Sequence, residues 1–236
     1  MAAKKYEVIV DSKEKLAESV INVRLKLKDK GFSFRPGQFV VVYHDEKGGT
    51  QKREYSIASS PNNKGYIELC VKVLEEGHVS RFLDSAKKGD EFVIEGPYGD
   101  FGVAIPPKRD VCLIATGTGI APMRSILHAI LESGTERKVM LFFGFRFETD
   151  YLYQAEFEEL AEQHDNFVLV ATASRTEDPS WDKERGRVNE LLRNYLKGDE
   201  DMDILLCGNK RMTEDVTKAL LDIGFDAKDI QKTGWG

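Results

Sequence analysis

Val111-Cys112-Leu113-Ile114-Ala115-Thr116-Gly117-Thr118-Gly119-Ile120-Ala121-Pro122-Met123 is the stretch on which the fold turns. An uninterrupted apolar run, Val111 to Ala115, enters a glycine-rich turn, and beyond it Met123, Ile126, Leu127, Ile130 and Leu131 recur on one helical face. The segment reads as strand, tight turn and helix. Its glycines let the backbone come close to a ligand, and the free amides at the helix start, with the positive end of the helix dipole, suit a pyrophosphate. Pro122 fits the first helical turn, where its missing N–H needs no partner. The pattern departs from the dinucleotide fingerprint twice: Pro122 stands where the third glycine belongs, and no acidic residue closes the next apolar run at Phe143. A glycine-rich turn on its own also serves a plain bend.

Towards the C-terminus, apolar runs at Val139 to Phe143, Phe167 to Ala171 and Ile204 to Cys207 alternate with helical patterns near Leu152 to Glu162, Val188 to Leu196 and Met212 to Leu221. Such alternation builds a parallel sheet with helices on both faces. A second glycine-bearing turn, Leu206-Cys207-Gly208-Asn209, ends the last clear strand. Open parallel sheets bind ligands outside the carboxyl ends of their strands, so two such turns at one edge count for more than one. Cys207 taken alone is equally an ordinary small core residue.

Towards the N-terminus the period changes. Ile21, Val23, Leu25 and Leu27 alternate with Asn22, Arg24, Lys26 and Lys28, and Ile67, Leu69, Val71 and Val73 repeat the pattern of a half-buried strand. Shorter runs at Val8 to Val10, Phe39 to Tyr43, Tyr55 to Ala58 and Phe92 to Ile94 are separated by turn formers such as Pro36-Gly37 and Gly89-Asp90. This half reads as an antiparallel barrel or sandwich. The double proline Pro106-Pro107 divides the chain into domains of residues 1–106 and 107–236. In Arg53-Glu54-Tyr55-Ser56, Arg53 and Tyr55 project to one side of a strand, where they suit an anionic group and an aromatic ring, although an exposed Arg beside a packing Tyr is common. In Gly77-His78-Val79-Ser80, Ser80 reads as an N-cap whose helix would offer amides to a second phosphate, or as simple capping.

The 236 residues are 41% hydrophobic and 31% charged, the balance of a folded globular chain. A net charge of -6 speaks against nucleic-acid binding, which depends on clustered Lys and Arg. The charge is uneven: residues 1–108 carry 18 basic and 16 acidic side chains and the remainder 16 and 24, so the front half offers either a docking face for an acidic partner or a solvated surface. Cys70, Cys112 and Cys207 are odd in number, far apart and form no CxxC, which indicates neither a disulfide framework nor a metal or iron–sulfur site. No stretch approaches the ~20 apolar residues of a membrane span, and Met1 to Val10 lacks the features of a secretory signal. The expectation is a cytoplasmic protein.

Taken in order, these motifs resemble the ferredoxin-NADP reductase superfamily over essentially the whole chain. Arg53-Glu54-Tyr55-Ser56 is similar to the family's RxYS flavin motif, Glu95-Gly96-Pro97-Tyr98-Gly99 to its second barrel motif, Gly117 to Pro122 to its GTGIAP turn, and Cys207-Gly208 to its nicotinamide-end motif. The resemblance implies an FAD-binding antiparallel β-barrel followed by a Rossmann-like α/β domain for NAD(P). It implies an enzyme moving hydride between NADPH and FAD and single electrons to or from ferredoxin or a similar carrier. Arg53 would then pair with the flavin pyrophosphate, supported by Gly77 and Ser80, while Tyr55 packs on the isoalloxazine and Ser56 bonds near N5. Thr116, Gly117, Thr118, Gly119 and Pro122 would hold the nucleotide, and Cys207 and Gly208 would flank the nicotinamide carboxamide.

Trp235 would cover the isoalloxazine, or else fill a surface groove; with Ser56 and Cys207 it completes the expected catalytic set. Lys232-Thr233-Gly234 stands where relatives carry an acidic residue before the terminal aromatic, so no carboxylate proton donor is assigned. Ser174-Arg175 resembles the pair that family members set against the 2'-phosphate of NADP, and Arg187 adds a positive contact; Glu177 and Asp178 nearby keep NAD as the alternative. FMN is the alternative to FAD. Besides a ferredoxin-NADP reductase, the motifs allow an NADH-dependent reductase component of an oxygenase, and a flavin-binding regulatory subunit without turnover.

Overall fold

The computed structural model describes residues 4–46 and 49–235, apart from the side chain of Trp235. Six strands form the first sheet: β1 (Lys4–Ala17), β2 (Val20–Leu27), β3 (Phe39–Glu46), β4 (Gly49–Ser56), β5 (Tyr66–Lys72) and β6 (Glu91–Tyr98), in the order β4-β3-β6-β1-β2-β5. Every pairing is antiparallel. An Ile57–Leu69 bridge, with the Ala58 amide donating to the Glu68 carbonyl, joins the end of β4 to β5 and closes the barrel. Alternate residues point inward, so Val8, Val10, Val23, Leu25, Val40, Val42, Ile67 and Leu69 fill the interior. Helix α1 (His78–Ser85) adds Val79 and Leu83 to that core, and its Phe82 stacks on His44 of β3.

The second sheet is parallel throughout: β7 (Asp110–Thr116), β8 (Val139–Phe145), β9 (Phe167–Ala173), β10 (Glu184–Arg185), β11 (Met202–Asn209) and β12 (Ile230–Trp235), in the order β10-β9-β8-β7-β11-β12. Helices α2 (Ile120–Glu132) and α3 (Gln154–Gln163) cover one face, and α4 (Val188–Tyr195) and α5 (Lys210–Ile223) the other. Every residue of β8 is buried, which explains why its sequence is continuously apolar rather than alternating. The chain steps outward from β7 through β8 and β9, then returns to β11 on the other side of β7. That reversal opens a crevice between β7 and β11, the place where such sheets take ligands.

The expected antiparallel barrel and parallel α/β sheet are both present, with local differences. Cys207 does not close the last strand: β12 follows, paired from Ile204–Ile230 to Asn209–Trp235. Its exposed Gln231, Lys232 and Thr233 carry no apolar period, because an edge strand needs only the backbone ladder on one side. Strand β1 extends well beyond Val8 to Val10, with register shifts; its ends are largely exposed and so carry no apolar period. Residues 99–109 join β6 to β7. Among the described residues no helix is long and apolar enough to cross a membrane.

Candidate functional site

At the crevice, Thr116 is the last residue of β7 and is extended, after which Gly117 takes φ +53° and a single tight turn leads into α2. A side chain on Gly117 would meet open space, so this backbone borders the crevice. Gly119 is different: a Cβ there would be driven into the Cys207 carbonyl. A Cβ on Gly208 would run into Met212 and the Thr116 hydroxyl, and one on Gly234 into the Gly208 carbonyl. Glycines thus let the ends of β7, β11 and β12 touch backbone to backbone. Pro122 is buried within the first turns of α2. Cys207 is buried beneath the crevice, and burial pushes its thiol up to about 12, so it is a neutral packing group rather than a thiolate. Trp235 pairs through its backbone with Asn209, while its side chain lies outside the described residues.

Above these turns lies a cavity of about 620 Å³. It is lined by Thr116, Gly117 and Thr118 of the turn and by Ala17, Ser19, Val20 and Lys72 of the barrel. Ser174, Arg175 and Arg187 line the same cavity, and so do Arg146 and Arg211. Those two arginines were missed in the sequence; Arg146 had a signal, since it follows the end of β8 where the fingerprint would put an acid. Asp150 and Asp215 also line the cavity, the latter 3.7 Å from Arg211. Ser174 Oγ donates to the Phe145 carbonyl at 3.1 Å, and the Arg175 amide to the Arg146 carbonyl at 2.8 Å, which ties this loop to the end of β8.

The loop from Ser174 to Arg187 is braced from within. Arg185 donates to the carbonyls of Thr176 at 3.3 Å, Asp178 at 2.7 Å and Trp181 at 3.3 Å. Trp181 donates to the Glu184 carbonyl at 2.9 Å and packs edge-on against Phe145. Asp178, which with Glu177 keeps NAD as the alternative, accepts from the Ser180 hydroxyl and amide at 2.7 and 2.8 Å, bonds that hold its carboxyl below the usual range.

In the barrel, Arg53 and Tyr55 pair with Val42 and Val40, so both share the face of β4 that looks toward α1. Tyr55 is half-buried, and burial pushes its phenol up to about 12. Ser56 ends β4, also half-buried. Ser80 corrects the capping expectation. The N-cap is Gly77, with no side-chain cap, and Ser80 is the third helical residue, buried. Its hydroxyl accepts from the Leu74 amide at 3.2 Å and donates to the Gly77 carbonyl at 3.1 Å, closing the turn before the helix. A Cβ on Gly77 would strike that hydroxyl. The first amides of α1 are therefore left without a side-chain acceptor. Glu95 of the second barrel motif accepts from Tyr43 at 2.8 Å and from Tyr98, which stacks on Phe39, so this motif fastens β6 to β3.

Cationic Arg53 with uncapped amides fits a pyrophosphate, and half-buried Tyr55 and Ser56 fit a planar polar ring; the donor set suits FAD.

Comparison with known proteins agrees. Residues 7–102 match the oxidoreductase FAD-binding domain and residues 113–218 the oxidoreductase NAD-binding domain. The chain is 36% identical over 208 residues to ferredoxin–NADP reductase B of Sorangium cellulosum, covering 85% of each protein. It is 31% identical over 229 residues to the reductase component of phenol 2-monooxygenase from a Pseudomonas species, covering 95% of this chain and 64% of that one. The crystal structure of an Amycolatopsis cytochrome P450 reductase superposes with a TM-score of 0.87 at 26% identity, covering 98% of this chain and 69% of the other.

Proposed function

Because the chain belongs to the ferredoxin-NADP reductase superfamily of flavin-dependent oxidoreductases, we propose that it oxidises NADPH through FAD and exchanges single electrons with a ferredoxin-type carrier. In this reading residues 1–106 hold the flavin and residues 107–236 the nicotinamide nucleotide. One observation carries it: one cavity is lined by the Thr116–Thr118 turn, by the barrel residues Ala17, Val20 and Lys72, and by Ser174, Arg175, Arg187, Arg146 and Arg211. The turn receives the pyrophosphate at the start of α2. The guanidinium groups take a phosphate dianion through charge-assisted forked bonds, while Asp178, turned into its own loop, does not take the ribose diol of NADH.

On the barrel side, Arg53 and the first amides of α1 grip the flavin pyrophosphate, Tyr55 packs on the ring and Ser56 offers a hydroxyl at its polar edge. Bound FAD supplies the conversion between two-electron and one-electron chemistry, and the protein supplies orientation. Cys207 and Gly208, packed under the cavity, exclude water from the nicotinamide and take no proton. The three unpaired cysteines support a reducing, cytoplasmic setting.

The test is to titrate the yellow protein with NADPH and with NADH while following its visible spectrum. Rapid bleaching with much higher kcat/KM for NADPH is expected, and Arg175→Ala should lower kcat/KM for NADPH about tenfold, the ratio set by about 1.4 kcal/mol, without touching that for NADH. Preference for NADH would refute the role of Ser174, Arg175 and Arg187.

The match to a phenol 2-monooxygenase reductase component favours a second reading, in which the same site serves an oxygenase. Reduction assays against purified ferredoxins and oxygenase components separate the two. Flavin that no nicotinamide bleaches would mark a regulatory subunit instead.

A further inference from the structure

Arg124 sits on α2, one turn beyond the glycine-rich turn, and its side chain is only 11% exposed. Its Nε and Nη2 donate to the two carboxylate oxygens of Glu156 on α3 at 2.7 and 2.9 Å. Nη1 reaches into the barrel, donating to Glu68 of β5 at 2.7 Å and to the Ala58 carbonyl at 3.0 Å. All but one of the guanidinium N–H groups are therefore engaged, half of those bonds in each domain. The cation also lies 4.6 Å over the ring of Tyr153, whose hydroxyl crosses to Asn22 of β2 at 3.0 Å. Glu68, 4% exposed, is held from its other side by Arg24 at 2.8 Å. Two cations and two carboxylates thus alternate through the interface, where Val20, Ala58 and Cys70 of the barrel pack into the core of the second domain.

A buried ion pair adds little stability over apolar residues of the same volume, because desolvation offsets the attraction. Directional restraint is what it does add. Apolar faces slide at small cost, whereas a forked guanidinium bonded on both edges fixes distance and angle together. The place where it does so is specific. Ala58 lies two residues beyond Ser56, and Arg124 lies on the helix that starts at Gly117–Gly119. The guanidinium is a direct polar link between the strand end assigned to the flavin and the turn assigned to the nucleotide.

We propose that Arg124, anchored by Glu68 and Glu156, is a positioning residue that sets the distance and angle across which hydride passes between the two domains. The inference rests on the preceding functional reading. It makes Arg124 neither a ligand of either cofactor nor a proton carrier; it acts through the Ala58 carbonyl and the seat of α2.

The experiment compares the wild-type flavoprotein with Arg124→Lys, which keeps the charge but lacks the planar fork that holds Glu156 on one edge and the barrel on the other, and with Glu68→Gln, which keeps shape and loosens one anchor. Three quantities are measured: the Kd for NADPH, the rate of flavin bleaching with its primary deuterium isotope effect from 4-deuterated NADPH, and the interdomain orientation from residual dipolar couplings. Expected is a Kd close to wild type, bleaching slowed between about tenfold and a hundredfold, as small misplacements cause, an isotope effect that becomes steeper with temperature, and altered dipolar couplings. Glu68→Gln should move the last two in the same direction by less, and it carries the test should Arg124→Lys not fold. Unchanged isotope effects and couplings, or a loss confined to Kd, overturn the proposal while leaving the functional reading intact. A wild-type protein that NADPH does not bleach overturns both.

Discussion

Gly119 and Gly117 stand two residues apart in one turn and are glycine for different reasons. At Gly119 the obstacle is the Cys207 carbonyl, a backbone group that cannot swing aside, so Gly119→Ala forces β7 and β11 apart. A loss of about 1–3 kcal/mol is expected, read as a lower Tm together with a raised Kd for NADPH. At Gly117 the obstacle is conformational, since φ +53° disfavours a side chain, yet nothing lies in its way. Gly117→Ala should cost about 1–2 kcal/mol and act on nucleotide binding, because its methyl would point into open space beside the cavity. The cysteines give a second prediction at this scale. Burial holds the thiols of Cys70 and Cys207 up at about 12 and raises that of Cys112, so thiolate is scarce at pH 8. Iodoacetamide should leave all three unlabelled by mass spectrometry until the protein is unfolded. The type and position of these residues were legible in the sequence. What Ser80 does was not: a serine near a helix start reads as a cap, but the neighbouring glycine allowed the chain to start the helix earlier and turned the hydroxyl back to Leu74.

Among the elements, the loop from Ser174 to Arg187 carries the clearest division of labour. Ser174, Arg175 and Arg187 border the cavity, while Arg185, which does not, gathers the carbonyls of Thr176, Asp178 and Trp181. Arg185→Ala should leave the loop without its internal brace and raise KM for NADPH about tenfold, with kcat little changed and FAD retention unaltered. Equal kcat/KM for NADPH in variant and wild type would show that Trp181 and its packing on Phe145 hold the loop unaided. The loop's charge density obscured this in the sequence, where Glu177, Asp178, Lys183, Glu184 and Arg185 present no period to separate brace from contact. Strand β12 was hidden for a related reason. An edge strand exposed on one side needs no apolar alternation, so the ladder to β11 left no trace in residues 230–235.

At the scale of the whole molecule, the ionic chain between the domains makes their union sensitive to acid. Burial by itself would push the Glu156 carboxyl up, but hydrogen bonds with His128 and Arg124 outweigh it and hold the group at about 2, below its ordinary 4.5. Glu68 is lowered as well, its burial outweighed by Arg124 and Arg24. A carboxylate with a depressed folded-state pKa contributes stability that is complete above the unfolded value and lost as pH falls through the folded one. Unfolding free energy should therefore drop by a few kcal/mol as pH falls from above 4.5 toward 2, and Glu156→Gln should flatten that slope. Denaturant titrations at pH 7 and across the acid window check this. A slope unchanged in the variant would place the acid sensitivity elsewhere.

By itself the sequence determined the two periodicities, the glycine turns at the carboxyl edge of the second sheet, and the order of motifs that marks the family. These are local properties: a period of two or of 3.6, a backbone without a Cβ, an apolar run of strand length. Only the tertiary structure decided which distant arginines share the cavity, that Asp178 turns away from it, and that Arg124 binds both domains at once. The cavity and the Arg124 link depend on residues tens of positions apart meeting in space, Asp178 on a local choice of Ser180 as its partner, and charged side chains in a sequence carry no sign of which partner they will take.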